Sequence, residues 1–328
     1  LSLHGVRIAG TGSCLPERVV TNADLEKRLD TSDEWIRSRT GIGERRWASE
    51  DEATSDFAIP AGRRALEAAG CDPADVDFVI CATLTPDMPM PSTAGLIQRG
   101  LNLEKAGGFD LSSACAGFVH ALTVGTNYVR TGSAKNVLVV GAETMTKVLD
   151  HSDRATAVIF ADGAGAALLQ PAPAGESDVL ASRYGLRGDD EVLLLKGGGS
   201  RYPTTHESVD EKLHLIFMEG RATFRFAVKT FASLITETCD DAGIAPQDLK
   251  LIVPHQVNMR IIEAACTRAK VSTDKCFLNI ETVGNTSAAS VPIALDDAVR
   301  AGKLERGDLV LMLAFGGGLS WSSILLRW

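Results

Sequence analysis

The sequence has no CxxC or CxxxC pair, no long basic run and no apolar stretch of membrane-spanning length. Each absence excludes something. Its seven cysteines are odd in number and the closest pairs, Cys71 with Cys81 and Cys266 with Cys276, stand ten residues apart. Neither a zinc site nor a CxxC redox motif is indicated, so no metal is expected, and reduced thiols in a cytosol fit best. A formal net charge of -9 and a pI near 5.2 argue against nucleic acid as a partner. Without a spanning segment, membrane insertion is not expected. The N-terminus enters a strand (Val6, Ile8) with no charged leader or hydrophobic signal region, and it begins at Leu1 rather than Met, which leaves room for residues upstream.

What is present is an ordinary globular composition. In 328 residues, 45% hydrophobic and 23% charged, a large core can form, as one big domain or two packed halves. Strand and helix patterns alternate. A loop, TGSCLPERVV, follows the first strand, and Thr31 with Glu34 predicts a capping box for a short helix carrying a half-buried Trp35 and Arg39. A helix over 57–69 leads to a strand over Phe78–Ala82, a Pro/Met-rich loop and a helix from Ser92. Beyond a strand over 136–140, AVIFADGAGAALLQ predicts a hairpin with Asp162-Gly163 as its turn. Its glycines are weak evidence for a nucleotide site, because no helix follows them.

The stretch that stands out is SSACAGF, residues 112–118. A short buried strand, Gly107–Leu111, precedes it, and Phe118, Leu122, Gly125 and Val129 follow at helical spacing, with Gly132 as a C-terminal stop. Cys115 is therefore expected in the first turn of a helix, where unpaired N–H groups and the dipole favour a thiolate and lower the thiol pKa. Alone, a Cys in an Ala-rich run is a small core residue. Partners elsewhere decide.

The chain repeats itself. AAGCDPADVDFVI (68–80) aligns without a gap on DAGIAPQDLKLIV (241–253), pairing Gly70 with Gly243 and Pro73 with Pro246 at an offset of 173. VRTGSAKNVLVV (129–140) aligns on VRAGKLERGDLVLM (299–312), pairing Gly132 with Gly302 at an offset of 170, which places Cys115 on Asn285. We infer a duplicated βα unit, with residues 1–172 and 173–328 as two pseudosymmetric halves, the first carrying the Cys and the second His255 and Asn285. PAPAGESD between them has linker composition.

In the second half, a strand ended by Pro254 puts His255 at its carboxyl end, where open α/β sheets place ligands, and a helix begins near Asn258. Asn285 precedes another helix start. A capped core His and an Asn cap are the ordinary readings of each alone; together with Cys115 they point to a site. In AFGGGLSW, three glycines between apolar strands leave backbone N–H groups open to a substrate oxygen, whereas Gly197, Gly198 and Gly199 read as plain loop.

SSACAGF, PHQ-x-N-x-R, GNTSAAS and AFGGG, with TGSCLPE, NADLEK, TSDEWI-x-x-RTGI-x-ER and DGAGAA, together resemble the beta-ketoacyl-acyl-carrier-protein synthase III family of the thiolase superfamily, from the first strand to Trp328. The resemblance implies an α/β thiolase fold of five layers, αβαβα, in a cytoplasmic homodimer. It implies decarboxylative condensation of an acyl-CoA primer with malonyl-acyl-carrier protein, initiating fatty acid synthesis with no cofactor. Cys115, His255 and Asn285 would be catalytic, and the N–H groups of Cys115 and Gly317 would form the oxyanion hole. Trp35 and Arg154 would sandwich the CoA adenine, Arg39 would meet phosphate, Gly220 and Asn258 the pantetheine, and Phe160 the pocket wall. Met90 would cap the acyl pocket across the dimer interface. Gln256, Arg260, Arg225 and Arg268 would bind the carrier protein, with Arg260 and Arg268 on one helix face.

Three rivals stand beside this. Cys, His, Asn is also the papain order, and 140 residues separate Cys115 from His255; but the Cys lies a third of the way along, inside a duplicated fold with unpaired cysteines. A specialised acyltransferase or ketosynthase making an ester, quinolone or polyketide starter shares the motifs. A non-catalytic scaffold would lack Cys115.

Overall fold

The computed structural model describes residues 4–173 and 178–328. β1 (Gly5–Cys14) leads through α1 (Asp33–Thr40) and α2 (Thr54–Ala69) to β2 (Phe78–Ala82), α3 (Thr93–Gly100) and β3 (Gly107–Leu111). α4 (Gly117–Arg130), β4 (Val137–Thr144) and β5 (Asp162–Ala172) follow. The remaining large elements are β6 (Asp178–Leu186), α5 (Gly220–Asp241), β7 (Leu251–Pro254), α6 (Met259–Ala269), α7 (Ser290–Arg300), β8 (Leu309–Gly316) and β9 (Ser320–Arg327).

Among the described residues, β1-β5-β4-β2-β3 form one sheet and β7-β8-β9-β6 another. Order and sense repeat: β2 is parallel to β4 as β7 is to β8, and β5 and β9 return antiparallel. β4, VLVVGAET, is buried at all its positions, as a strand covered on both faces must be. Three apolar layers result. α2 and α3 bury Phe57, Leu66 and Ile97 against the first sheet. α4 and α7 lie between the sheets with Phe118, Leu122, Val291 and Leu295. α5 and α6 cover the second sheet with Phe231, Ile235 and Ile262. The architecture is αβαβα. No helix among the described residues is long and apolar enough to cross a membrane.

Several local expectations change. Ser32, not Thr31, caps α1: the Ser32 hydroxyl accepts from the Trp35 N–H at 3.1 Å, and the chain turns helical one residue later than the capping-box reading requires. Asp162-Gly163 is no hairpin turn. The Asp162 carboxylate accepts from the Ala48 and Thr146 N–H groups, Gly163 pairs opposite Glu143, and no strand leads into them: Arg154–Ala157 is a short helix and β5 starts at Asp162 itself. Long-range hydrogen bonds override the local turn signal. The segment 171–178 read as a linker falls half on 174–177, outside the described residues; its first two residues close β5 and Asp178 opens β6. The repeat register also shifts. α4 and α7 are each preceded by a short 3₁₀ turn, Ala114–Ala116 and Ser287–Ala289, whose first residues are both left-handed, at φ 44 and φ 50. Cys115 therefore corresponds to Ala288, not Asn285, and the offset of 170 arises only beyond it because α7 is shorter than α4.

The glycines of DGAGAA serve packing. Gly141 on β4 and Gly165 on β5 are paired across the sheet where α7 begins. A Cβ at Gly141 would lie 2.4 Å from the Ala288 carbonyl oxygen, and one at Gly165 2.6 Å from the Ile293 nitrogen. Gly165→Ala should therefore displace the start of α7 and lower stability by about 1–3 kcal/mol in thermal or denaturant unfolding. Gly188→Ala, where a Cβ meets nothing within 4 Å, is the neutral control; equal stability of both variants would refute the account.

Candidate active site

The turn Ala114–Ala116 places Cys115 directly ahead of α4, at 7% exposure. The Ser320 hydroxyl donates to the Ser113 carbonyl at 2.9 Å and fixes this corner to β9. The three glycines of AFGGG have separate reasons. A Cβ at Gly316 would lie 2.6 Å from the Cys115 nitrogen, one at Gly317 2.7 Å from the Leu193 carbonyl oxygen, and Gly318 turns the chain at φ 99. Among the described residues no acceptor takes the N–H of Cys115 from another residue, and none takes that of Gly317.

His255 follows β7, its N–H donating to the Leu313 carbonyl at 2.8 Å. Its ring is wholly buried, edge-on to Phe315 at 5.9 Å, and neither ring nitrogen has a partner among the described residues. Burial pushes its pKa down to about 3, so the imidazole is neutral, with one N–H to donate. Phe315 precedes the glycine that faces Cys115, which brings the His and Cys corners to one place. Asn285 is clamped by its backbone: its N–H donates to the Ile159 carbonyl at 3.1 Å and its carbonyl accepts from the Ala161 N–H at 2.9 Å. Its Oδ1 accepts from the Ser287 N–H at 2.9 Å, which aims the NH₂ end away as a donor. The Ser287 hydroxyl donates to Glu143 Oε1 at 3.1 Å, and its side chain lies beside Cys115.

The sequence leads one to expect a thiol of lowered pKa at Cys115. The folded chain reverses this: burial pushes it up to about 12, with Glu143 adding in the same direction and Ser287 opposing. The helix begins only at Gly117, and loss of water outweighs its favourable end.

A cavity of about 620 Å³ opens at Cys115, lined by Phe160, Ser287 and Gly317 together with the apolar side chains of Leu84, Met145 and Ile216. His255 and Asn285 are buried and do not line it. Met90 is 85% exposed and lies outside this cavity. Trp35 is half-buried, with the Arg154 guanidinium stacked 4.7 Å over its ring, so the two residues expected to sandwich an adenine are in contact with each other.

Arg39, Gly220, Arg225 and Arg260 converge on an open hollow of about 430 Å³. Arg221, which the sequence reading missed, joins them; its position one residue after Gly220 was the available signal. Arg268, two turns along α6, is exposed but does not line the hollow, so Arg260 and Arg268 do not act as one patch there. Asn258 caps α6 through Oδ1 and donates its NH₂ to the Arg39 carbonyl at 2.9 Å, so it shapes the hollow's edge with both ends of its amide engaged. Gln256 is not a carrier-protein contact. It is buried, its Oε1 accepting from the Asn279 and Ile280 N–H groups and its NH₂ donating to the Pro254 and Phe277 carbonyls, which ties the His255 corner to the chain leading toward Asn285. Glu143 and Ser287 were also missed. A lone acid in the apolar strand VLVVGAET was a signal for the first; nothing in the sequence marked the second beyond its place after Asn285.

Residues 109–188 match the family model described as 3-oxoacyl-[acyl-carrier-protein (ACP)] synthase III, and residues 239–328 match its C-terminal model. A beta-ketoacyl-[acyl-carrier-protein] synthase III of Caldanaerobacter subterraneus subsp. tengcongensis is 49% identical, over 98% of this chain and 97% of that protein. The crystal structure of 3-oxoacyl-[acyl-carrier-protein] synthase III from Aquifex aeolicus superposes with a TM-score of 0.91 at 44% identity, covering 99% of this chain and 100% of that one. The priming beta-ketosynthase from the R1128 polyketide biosynthetic pathway gives 0.92 at 38%, covering 99% and 97%. Such identity over essentially the whole length, on a fold that brings the Cys, His and Asn corners together, means that the chain belongs to the beta-ketoacyl-[acyl-carrier-protein] synthase III family.

Proposed function

We propose that the protein joins an acyl-CoA primer to malonyl-acyl-carrier protein, releasing CoA and carbon dioxide and yielding a 3-oxoacyl-carrier protein, the initiating step of fatty acid synthesis. The observation that carries this is the pair of aimed donors beside the thiol: a neutral His255 with unpartnered ring nitrogens, and an Asn285 amide whose oxygen is held by Ser287. Cys115 attacks the primer thioester, and the unengaged N–H groups of Cys115 and Gly317 receive the oxyanion. CoA leaves and acyl-Cys remains. The malonyl thioester then loses carbon dioxide, its electron pair passing into an enolate whose oxygen meets the His255 N–H and the Asn285 NH₂. The enolate carbon attacks the acyl-Cys carbonyl and expels the Cys115 sulfur. No step calls for a cofactor or metal.

The basic hollow suits the phosphates of CoA and an acidic carrier protein docking over it, and Trp35 with Arg154 suits the adenine. We place the enzyme in the cytoplasm as a homodimer. Exposed Met90 would reach the partner's acyl cavity, and the outer edge of β3 is open to pairing. A second reading, a priming ketosynthase of secondary metabolism, is favoured by the likeness to the R1128 enzyme. Self-acylation across a panel of acyl-CoAs, followed by malonyl-carrier protein, separates the two by primer.

His255→Ala and Asn285→Ala should retain part of the self-acylation from acyl-CoA and lose about 10²- to 10³-fold in carbon dioxide release from malonyl-carrier protein; normal release by both would sink the assignment. Arg260→Glu should raise KM for malonyl-carrier protein more than for acyl-CoA, with the larger effect at low salt. Equal loss with both substrates at every ionic strength would return Arg260 to a role in the fold.

A further inference from the structure

Burial holds the Cys115 proton tightly, yet the sulfur must lose it to attack, and the steps above leave its destination open. His255 is a poor acceptor, since its burial disfavours a second proton. Glu143 has no part in those steps. It sits wholly buried in β4 with no Lys, Arg or His paired to it among the described residues.

The two oxygens of Glu143 are unequal. Oε2 accepts from the Thr85 hydroxyl at 2.6 Å, the Thr83 hydroxyl at 3.2 Å, and the Leu84 and Thr85 N–H groups at 3.1 Å each. Oε1 accepts from the Ser287 hydroxyl at 3.1 Å and has otherwise only a 3.3 Å approach from the Leu84 N–H. Oε1 is thus the oxygen with room for a proton. The Ser287 side chain lies beside Cys115 in the wall of the same cavity and opposes the rise of the thiol's pKa, so thiol, hydroxyl and carboxylate follow one another. The titratable groups that feel the Glu143 charge are Cys81 on the adjoining strand and Cys115 itself. Neither is cationic. Burial of the carboxylate pushes its pKa up to about 7, so it is an acceptor matched to neutral pH.

We propose that Glu143, acting through the Ser287 hydroxyl, takes the thiol proton of Cys115 as the sulfur attacks the primer. The Cys115 S–H proton moves to Ser287 Oγ, the hydroxyl's own proton moves to Glu143 Oε1, and the sulfur forms its bond to the thioester carbon while the carbonyl electrons move to oxygen. When the carbonyl re-forms, the C–S bond to CoA breaks and the same line returns a proton to the CoA sulfur. The buried negative charge passes from carboxylate to oxyanion and is never doubled. Glu143 and Ser287 are positioning residues in this account, and it rests on Cys115 being the nucleophile of the proposed function.

Iodoacetamide alkylation of Cys115, followed by peptide mass, needs no acyl-CoA and tests the relay apart from that function; self-acylation tests it within the function. In the native protein both rates should rise with pH through an inflection near 7. Glu143→Gln should abolish the inflection and slow both reactions by about 10²-fold at about pH 8. Ser287→Ala keeps the carboxylate and should do the same; it decides the matter if circular dichroism shows Glu143→Gln misfolded. Retention of the inflection by both variants, or its loss in His255→Ala alone, would overturn the relay. A normal alkylation profile that both variants abolish, with no self-acylation from any acyl-CoA, would support the relay and remove the functional reading instead.

Discussion

The site depends on how closely the first turn of α7 approaches the first sheet. Gly141 and Gly165 stand opposite each other on neighbouring strands and leave a slot with no side-chain cover, into which the Ala288 and Pro292 backbone fits. A methyl group at either position would push the helix away. Because it seats there, the left-handed corner at Ser287 meets the left-handed corner at Ala114, and Ser287 holds the Asn285 Oδ1 through its N–H while its side chain lies beside Cys115. Strain at two non-glycine residues is held by the packing of two central helices, which is how interiors of high density stabilise conformations a free chain would avoid.

Burial then decides the electrostatics. A dry layer disfavours charge on each of its groups: it keeps His255 neutral, raises Cys115 and raises Glu143. What remains are dipoles with fixed directions, namely the Asn285 amide, the imidazole N–H and two backbone N–H groups. Such donors act most strongly where water is excluded and need no reorganisation when charge develops on a substrate oxygen. The same dryness means that the thiol is not a standing thiolate, so a proton acceptor has to be built in beside it.

The mouth follows the opposite rule. The chain is acidic overall, yet Arg39, Arg221, Arg225 and Arg260 come together from three helical regions around one hollow. Since salt screens exposed charges beyond about 8 to 10 Å, this local sign, rather than the net charge, is what an arriving phosphate or acidic surface meets.

Much of this was legible in the sequence. Periodicity located Phe78–Ala82 and the helix after Asn258, because each answers to local patterning of apolar residues, whereas Gly107–Leu111 is a strand but lies exposed to half-buried at the sheet edge rather than buried. The motifs around Cys115, His255, Asn285 and Gly317 identified the family, since reactive groups at strand ends and helix starts leave a compact local signature. Three matters were decided only by tertiary structure. Asp162-Gly163 carried the local signal of a turn between two strands, but the Asp162 carboxylate found its partners in other elements, the residues before it formed a short helix, and the strand begins there. Gln256 looked like a surface amide beside His255, but its hydrogen bonds to Asn279, Ile280, Pro254 and Phe277 bury it. Cys115 stood where a helix end would favour a thiolate, but desolvation by burial outweighs that end. A sequence records which groups a residue carries and how they recur along the chain; which of them lose water, and to which distant partner they turn, is settled only when the layers close.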